Sequence, residues 1–277
     1  MNRLSPQPDE IIDRSIPIRF TWNGTAVAGF EGDTIVSALL ASGHGVTSRS
    51  FKYHRPRGPM TASFLDPNTM VQVDDEPNVR AGHRRIQEGM SVSAQNVWPS
   101  LEVDARAVNG LIGRFLAPGF YYKTFMKPAP LWPLYSRVLR RFATGGTVSN
   151  VISENRYDAR FAHPDVLIAG GGPAGMAAAL AAADEGISVM LVEEEPDLGG
   201  HLRYTSGNTD TRADLVRRVQ DHPSIEVLTD SVVTGRYEHN WVSILQRSHP
   251  TATERLIKAR AKSLVCLLYT SDAADEC

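Results

Sequence analysis

The stretch that most restricts the fold runs from Asp165 to Glu193 and reads "DVLIAGGGPAGMAAALAAADEGISVMLVE". Its opening apolar run is what a strand buried on both faces of a parallel sheet requires. Gly170, Gly172 and Gly175 follow in the order G-x-G-x-x-G. Gly170 permits a tight turn, Gly172 lets the backbone approach a pyrophosphate, and Gly175 lets a helix pack closely on the strand. Pro173 and Ala174 open that helix, where proline is tolerated because the first N–H has no intrahelical partner. The helix N-terminus turns free N–H groups toward phosphate. Ala177 to Ala183 are strong helix formers and Gly186 ends the helix. "ISVMLVEEE" is a second strand, and Glu193 after it can accept hydrogen bonds from a ribose diol. The same charge repels a 2′-phosphate, which disfavours NADP. Strand, glycines, helix, strand and acid in this order predict a dinucleotide pocket. The motif does not separate FAD from NAD, because both present an adenosine ribose and a pyrophosphate to the same turn. Gly199 and Gly200 in "DLGGHLRY" fit either backbone near the cofactor or a plain loop.

Upstream, "IPIRFTWNGTAVAGFEGDTIVSALLASGHG" gives two strands joined at Asn23-Gly24, a strong hairpin signal. Asp33 or Thr34 then caps a short helix that ends at Gly43. Two strands and a helix predict an α+β β-grasp module over residues 16–97. Its further strands are expected near Thr61–Phe64, Val71–Val73 and Asn78–Ala81. Arg49, Lys52, Arg55 and Arg57 make "SRSFKYHRPRGPM" densely basic, and the segment Lys52–Gly58 reads as a loop. It is either solvated or in contact with an anionic cofactor or an acidic partner, since Arg suits phosphate.

Residues 98–162 form a connector rich in aromatics, proline and basic residues, which suits an interface between domains or subunits. Pro118, Pro128, Pro130 and Pro133 break any long amphipathic helix there. A Rossmann-like α/β domain is expected over 163–265, its later part a helix followed by strands. The first 15 residues lack the apolar core of a signal peptide and read as a flexible arm.

Hydrophobic residues make up 42% of the 277-residue chain, enough for a real core, and the net charge of −2 gives no general pull toward nucleic acid or membrane. No apolar run approaches a bilayer span. The two cysteines, Cys266 and Cys277, exclude a disulfide framework and favour a cytoplasmic setting. No histidine shows metal-ligand spacing, and no catalytic constellation is visible.

The β-grasp module, "RSFKYHRPRG", "PNVRA", "AQNVWPS", "GFYYKTFM" and the glycine turn together resemble the alpha subunit of heterotetrameric sarcosine oxidase, from about Ile16 to Val265. The resemblance implies oxidative demethylation of sarcosine to glycine and hydrogen peroxide, with formaldehyde or methylenetetrahydrofolate. It implies beta, gamma and delta partner subunits, FAD in beta, FMN at the alpha–beta interface and NAD in the alpha Rossmann-like domain. By motif, Gly170, Gly172, Pro173, Ala174, Gly175, Glu193 and Gly200 would contact NAD, with Glu194 a second ribose contact. Related amine, opine and proline dehydrogenase subunits carry an Fe–S cluster just after "HRPRG". The corresponding "PMTASFLDPNTMVQVDD" has no thiolate to hold one. The module is therefore expected to be cluster-free, which favours the sarcosine oxidase branch. The alternatives are an FAD-binding subunit of such a dehydrogenase and a non-catalytic assembly module.

The family subunit is several times longer. "ERLIKARAKSLV" resembles the strand that leads to a second glycine signature. "CLLYTSDAADEC" has no family counterpart and resembles adaptor read-through, so residues 266–277 are expected to be a non-native tail. The Rossmann-like domain should then have an unpaired edge, and the chain alone should not oxidise sarcosine.

Overall fold

The computed structural model describes residues 3–6, 10–50, 53–60, 66, 68–110, 127–142, 155–203, 205, 207, 209–247 and 249–268. The chain divides into two units, Met1–Val151 and Ile152–Cys277.

In the first unit, β1 (Asp13–Trp22) and β2 (Thr25–Glu31) form a hairpin. Asn23 and Gly24 both take positive φ, 49° and 81°, as the tight turn between them needs. Ile18, Phe20 and Trp22 face the core, while Ile16 stays exposed where the ladder slips between Asp13 and Pro17. Helix α1 (Ile35–Ala41) is capped by Thr34, in a reciprocal pair with Ser37. Ser48–Arg49 (β3) and Pro56–Arg57 (β4) pair across the basic segment, so it is a small hairpin and not only a loop. β5 (Met70–Val73) and β6 (Glu76–Arg80) lie where two of the expected strands were placed. The third, Thr61–Phe64, lies outside the described residues. β7 (Ser91–Ala94) is an addition to the expected set and the centre of the sheet. The order is β2-β1-β7-β5-β6, with β7 parallel to β1 and antiparallel to β5. Its short run could not signal this position, because only Val92 is fully buried.

Two contacts and one helix lie outside the predicted module. Near the N-terminus, Arg3 makes two hydrogen bonds to the buried Asp33 carboxylate, at 3.0 and 2.5 Å, and its guanidinium lies over the Phe30 ring. A guanidinium–carboxylate fork leaves no trace in hydrophobic periodicity. In the connector, Trp132–Phe142 is a helix, α2, with Pro133 in its first turn, where proline is compatible with helix. Pro128 and Pro130 precede it. "GFYYKTFM" lies outside the described residues.

The second unit begins with β8 (Tyr157–Ala162), a strand inside the stretch 98–162 that reads as connector in the sequence. It then runs β9 (Val166–Ala169), α3 (Pro173–Asp184), β10 (Val189–Val192), α4 (Thr209–Gln220) and β11 (Ile225–Leu228). β12 (Ser231–Tyr237), β13 (Trp241–Gln246), β14 (Glu254–Arg260) and β15 (Ser263–Cys266) complete it. One sheet is all parallel, in the order β11-β10-β9-β15. Its two faces are both buried, which explains the unbroken apolar runs. Ile168, Val189 and Leu191 pack with Met176, Leu180 and Val219 of the helices. Leu167, Met190 and Val192 pack with Val242, Ile244 and Ile257 of the second sheet, β12-β13-β14-β8.

Beside β9 the sheet gains one more strand, so that its edges are β15 and β11. "ERLIKARAKSLV" is not one strand: it breaks at Ala261–Lys262, and β15 returns to pair with β9. Cys266, assigned to the tail, pairs with Ala169, and Leu267 continues the ladder with an N–H donated to Ala169.

Candidate dinucleotide site

The site is the turn between β9 and α3. Gly170 takes φ +113°, a backbone conformation that side chains rarely adopt. Gly175 is fixed by contact, since a Cβ there would lie 1.9 Å from the Gly170 carbonyl oxygen. Gly172 caps α3 with φ −71° and ψ −179°, angles open to any residue. A Cβ on it would find no heavy atom nearer than Gly200 Cα at 3.9 Å. Nothing in the polypeptide requires glycine at 172, and the space beside it is where a phosphate would approach the N-terminus of α3. Pro173 and Ala174 form the first turn beside that space, half-buried and exposed respectively.

Gly199 and Gly200 are packed on this turn. The Gly199 N–H donates to the Gly171 carbonyl at 3.0 Å, and a Cβ on Gly200 would come within 3.0 Å of Gly172 Cα. Glu193, at the end of β10, is buried. Its Oε2 accepts the Gly171 N–H at 2.6 Å and its Oε1 accepts the Glu195 N–H at 2.9 Å. Burial raises its pKa above the ordinary value, opposed by the Gly171 hydrogen bond. A carboxylate has about four lone-pair sites, so acceptor capacity beyond these bonds would be available to a diol. Glu194 follows, with Oε1 3.7 Å from an Arg247 nitrogen.

The structure thus brings Gly170, Gly172, Pro173, Ala174, Gly175, Glu193 and Gly200 together. It adds residues that the motif reading passed over. Gly171 cannot carry a side chain, because a Cβ would collide with Leu198 and the Glu193 carboxylate. The run of three glycines was the available signal. Arg203 pairs with Glu195 and lies 3.7 Å from Asp197, and Arg212 Nε donates to the Leu198 carbonyl at 3.1 Å. These arginines hold the acidic loop against the turn. Two surface concavities, one along α4 and one around Tyr237 and Trp241, share no residue with the turn.

The basic hairpin is partly a structural element. Arg49 donates to the carbonyls of His54 and Leu101, whereas Arg55 and Arg57 are exposed. Lys52 lies outside the described residues. Among the described residues, no group of three or more His, Cys, Asp or Glu could hold a metal ion. No described helix is long and apolar enough to cross a membrane.

Comparison with known proteins follows this division. Residues 15–97 match the 2Fe-2S iron-sulfur cluster binding domain family, and residues 165–273 match the FAD dependent oxidoreductase family. Sarcosine oxidase subunit alpha of Rhizobium meliloti (strain 1021) is 44% identical over 86% of this chain. The chain is a homologue of sarcosine oxidase subunit alpha. A second sarcosine oxidase alpha relative, from Corynebacterium sp. (strain P-1), is 29% identical over 87% of the chain. The chain spans 25% and 21% of the lengths of these two relatives. In fold, the structure of L-proline dehydrogenase from P. horikoshii matches 92% of this chain and 41% of that one, with a TM-score of 0.55 at 19% identity. The first family's description names a cluster that the residues here do not fit. Residues 15–97 contain no cysteine, and such clusters are held by thiolates.

Proposed function

We propose that this chain is the dinucleotide-binding part of the alpha subunit of a heterotetrameric sarcosine oxidase. The assembly would oxidatively demethylate sarcosine to glycine, with hydrogen peroxide and formaldehyde or methylenetetrahydrofolate as the other products. Beta, gamma and delta subunits would be its partners, with FAD in beta and FMN at the alpha–beta interface. Cytoplasmic residence belongs to the same reading, supported by a sequence with no disulfide framework.

The observation that carries the reading is Gly172, where a Cβ would meet nothing nearer than Gly200 Cα at 3.9 Å although Gly171 and Gly175 beside it tolerate none. Backbone N–H groups at the start of α3 would receive the pyrophosphate. Glu193 would hold the ribose diol through its remaining lone pairs, and Gly200 would close the far wall. NAD is the occupant proposed. The bound nucleotide supplies recognition and structure, and no residue of this chain is assigned to the oxidation step. FAD is the second reading, favoured by the family description that matches residues 165–273.

The test is to denature the purified full-length alpha subunit and identify what it releases. NAD without flavin supports the first reading. Released FAD without nicotinamide replaces it with the second.

A further inference from the structure

A second polar site lies in the first unit, independent of the nucleotide reading. His54 is fully buried in the basic hairpin, and its Nδ1 is 2.6 Å from Asp104 Oδ2. Asp104 Oδ1 already accepts the N–H groups of Trp98 and Arg106. In a neutral imidazole, a carboxylate used as an acceptor on both oxygens draws the ring proton to Nδ1. In that form Nε2 is an acceptor, and among the described residues this buried atom has no hydrogen-bond partner. Among the other described buried atoms in that condition are Thr47 Oγ1, Thr69 Oγ1 and Gln95 Nε2.

These four residues sit on segments bonded directly to one another. The Thr47 N–H donates to Arg57 O, and the neighbouring Ser48 hydroxyl donates to Asn68 O, next to Thr69. Asn96, next to Gln95, donates to Arg49 O, and Arg49 in turn donates to His54 O. β5 and β7 pair at Val71 and Ala94, which brings Thr69 and Gln95 to the same end of the sheet. Buried polar groups are almost always satisfied, and a group that finds no protein partner marks a bound water or ion.

We propose that the base of this hairpin is an internal hydration site, in which ordered water donates to His54 Nε2 and completes Thr47, Thr69 and Gln95. The chemistry selects a small neutral molecule that both donates and accepts. An anion would face the imidazole lone pair. A metal ion would find no set of three His, Cys, Asp or Glu ligands among the described residues. Water reconciles one acceptor, one amide donor and two hydroxyls of either polarity.

The test is a high-resolution crystal structure of the full-length subunit, paired with nitrogen NMR of His54. The expected result is ordered water within hydrogen-bond distance of Nε2 and of at least one of Thr47, Thr69 and Gln95. The imidazole should be the neutral Nδ1–H form, with Nε2 accepting a hydrogen bond. Carbon packed against Nε2, a direct protein partner there, or a proton resident on Nε2 would each overturn the proposal.

Discussion

Gly172 and Gly175 stand one helical turn apart and require glycine for opposite reasons. At 175 the polypeptide itself forbids a side chain, because a Cβ would meet the Gly170 carbonyl oxygen at 1.9 Å. Gly175→Ala should therefore destabilise the second unit by about 1–3 kcal/mol, as overpacking does, with or without nucleotide. Thermal unfolding measures this directly. At 172 the surroundings are open, so Gly172→Val should leave the fold nearly intact and weaken nucleotide binding at least about tenfold, or 1.4 kcal/mol. Equilibrium binding separates the two cases: unchanged affinity in Gly172→Val removes the proposed phosphate contact. Glu193 adds a pH signature. Its pKa is raised by burial, so it neutralises at a pH above the ordinary glutamate range. The folded state thus takes up this proton before the unfolded chain does. Ionised Glu193 costs stability at neutral pH, and acidification through the raised pKa removes that cost. The same protonation takes away an acceptor for the ribose diol, so affinity for nucleotide should fall as pH drops through this window. Glu193→Gln should bind more weakly at neutral pH and lose that pH dependence; titrating affinity against pH in both proteins decides it.

At the scale of elements, the clearest departures from the sequence reading are places where a side chain holds segments together. Arg3 is the best case. Its fork on the fully buried Asp33 fastens the arm to the first turn of α1, where Asp33 also accepts the Phe30 N–H and the Ser37 hydroxyl. Arg3→Ala should destabilise the first unit by about 2 kcal/mol, the scale of a charge-assisted hydrogen-bond pair. Arg3→Lys should recover part of this, because an ammonium cannot reproduce the planar fork. Denaturant unfolding of the three proteins checks the ranking, and an unaffected Arg3→Ala midpoint would mean that the arm is merely resting there. The glycine turn, α3 and β10 were legible because backbone geometry, helix propensity and burial on both sheet faces all leave marks in composition. β1, β2 and α1 were legible through alternation, an Asn-Gly turn and a cap. β7 was not, since four residues with a single fully buried side chain carry no periodicity. The break at Ala261–Lys262 was also hidden, because both flanking strands are apolar enough to read as one. Gly171 and the arginines of the acidic loop depend on tertiary contacts that no local pattern records.

For the whole molecule, the two units present different combinations of family and chemistry. The first has the fold of a cluster-binding module without any thiolate, and the second has an open glycine turn with its acid already in place. The sarcosine oxidase alpha relative from Rhizobium meliloti is about four times as long as this chain. The parallel sheet ends at β11 and β15, and Leu267 and Leu268 beyond β15 are exposed. A unit with such open edges should gain measurably from any ligand that binds only its folded form. Ligand at a hundred times its dissociation constant contributes about 2.7 kcal/mol to folding. NAD should therefore raise the unfolding temperature of the second unit, and the same concentration of NADP should raise it much less. The difference follows from the proposed ribose contact with Glu193, whose negative charge would repel a 2′-phosphate. Gly172→Val should abolish the NAD shift while keeping the unliganded unfolding temperature. An equal shift with NAD and NADP would mean that the nucleotide does not place its ribose against Glu193. A shift with FAD and none with NAD would assign the turn to flavin while leaving its geometry unchanged.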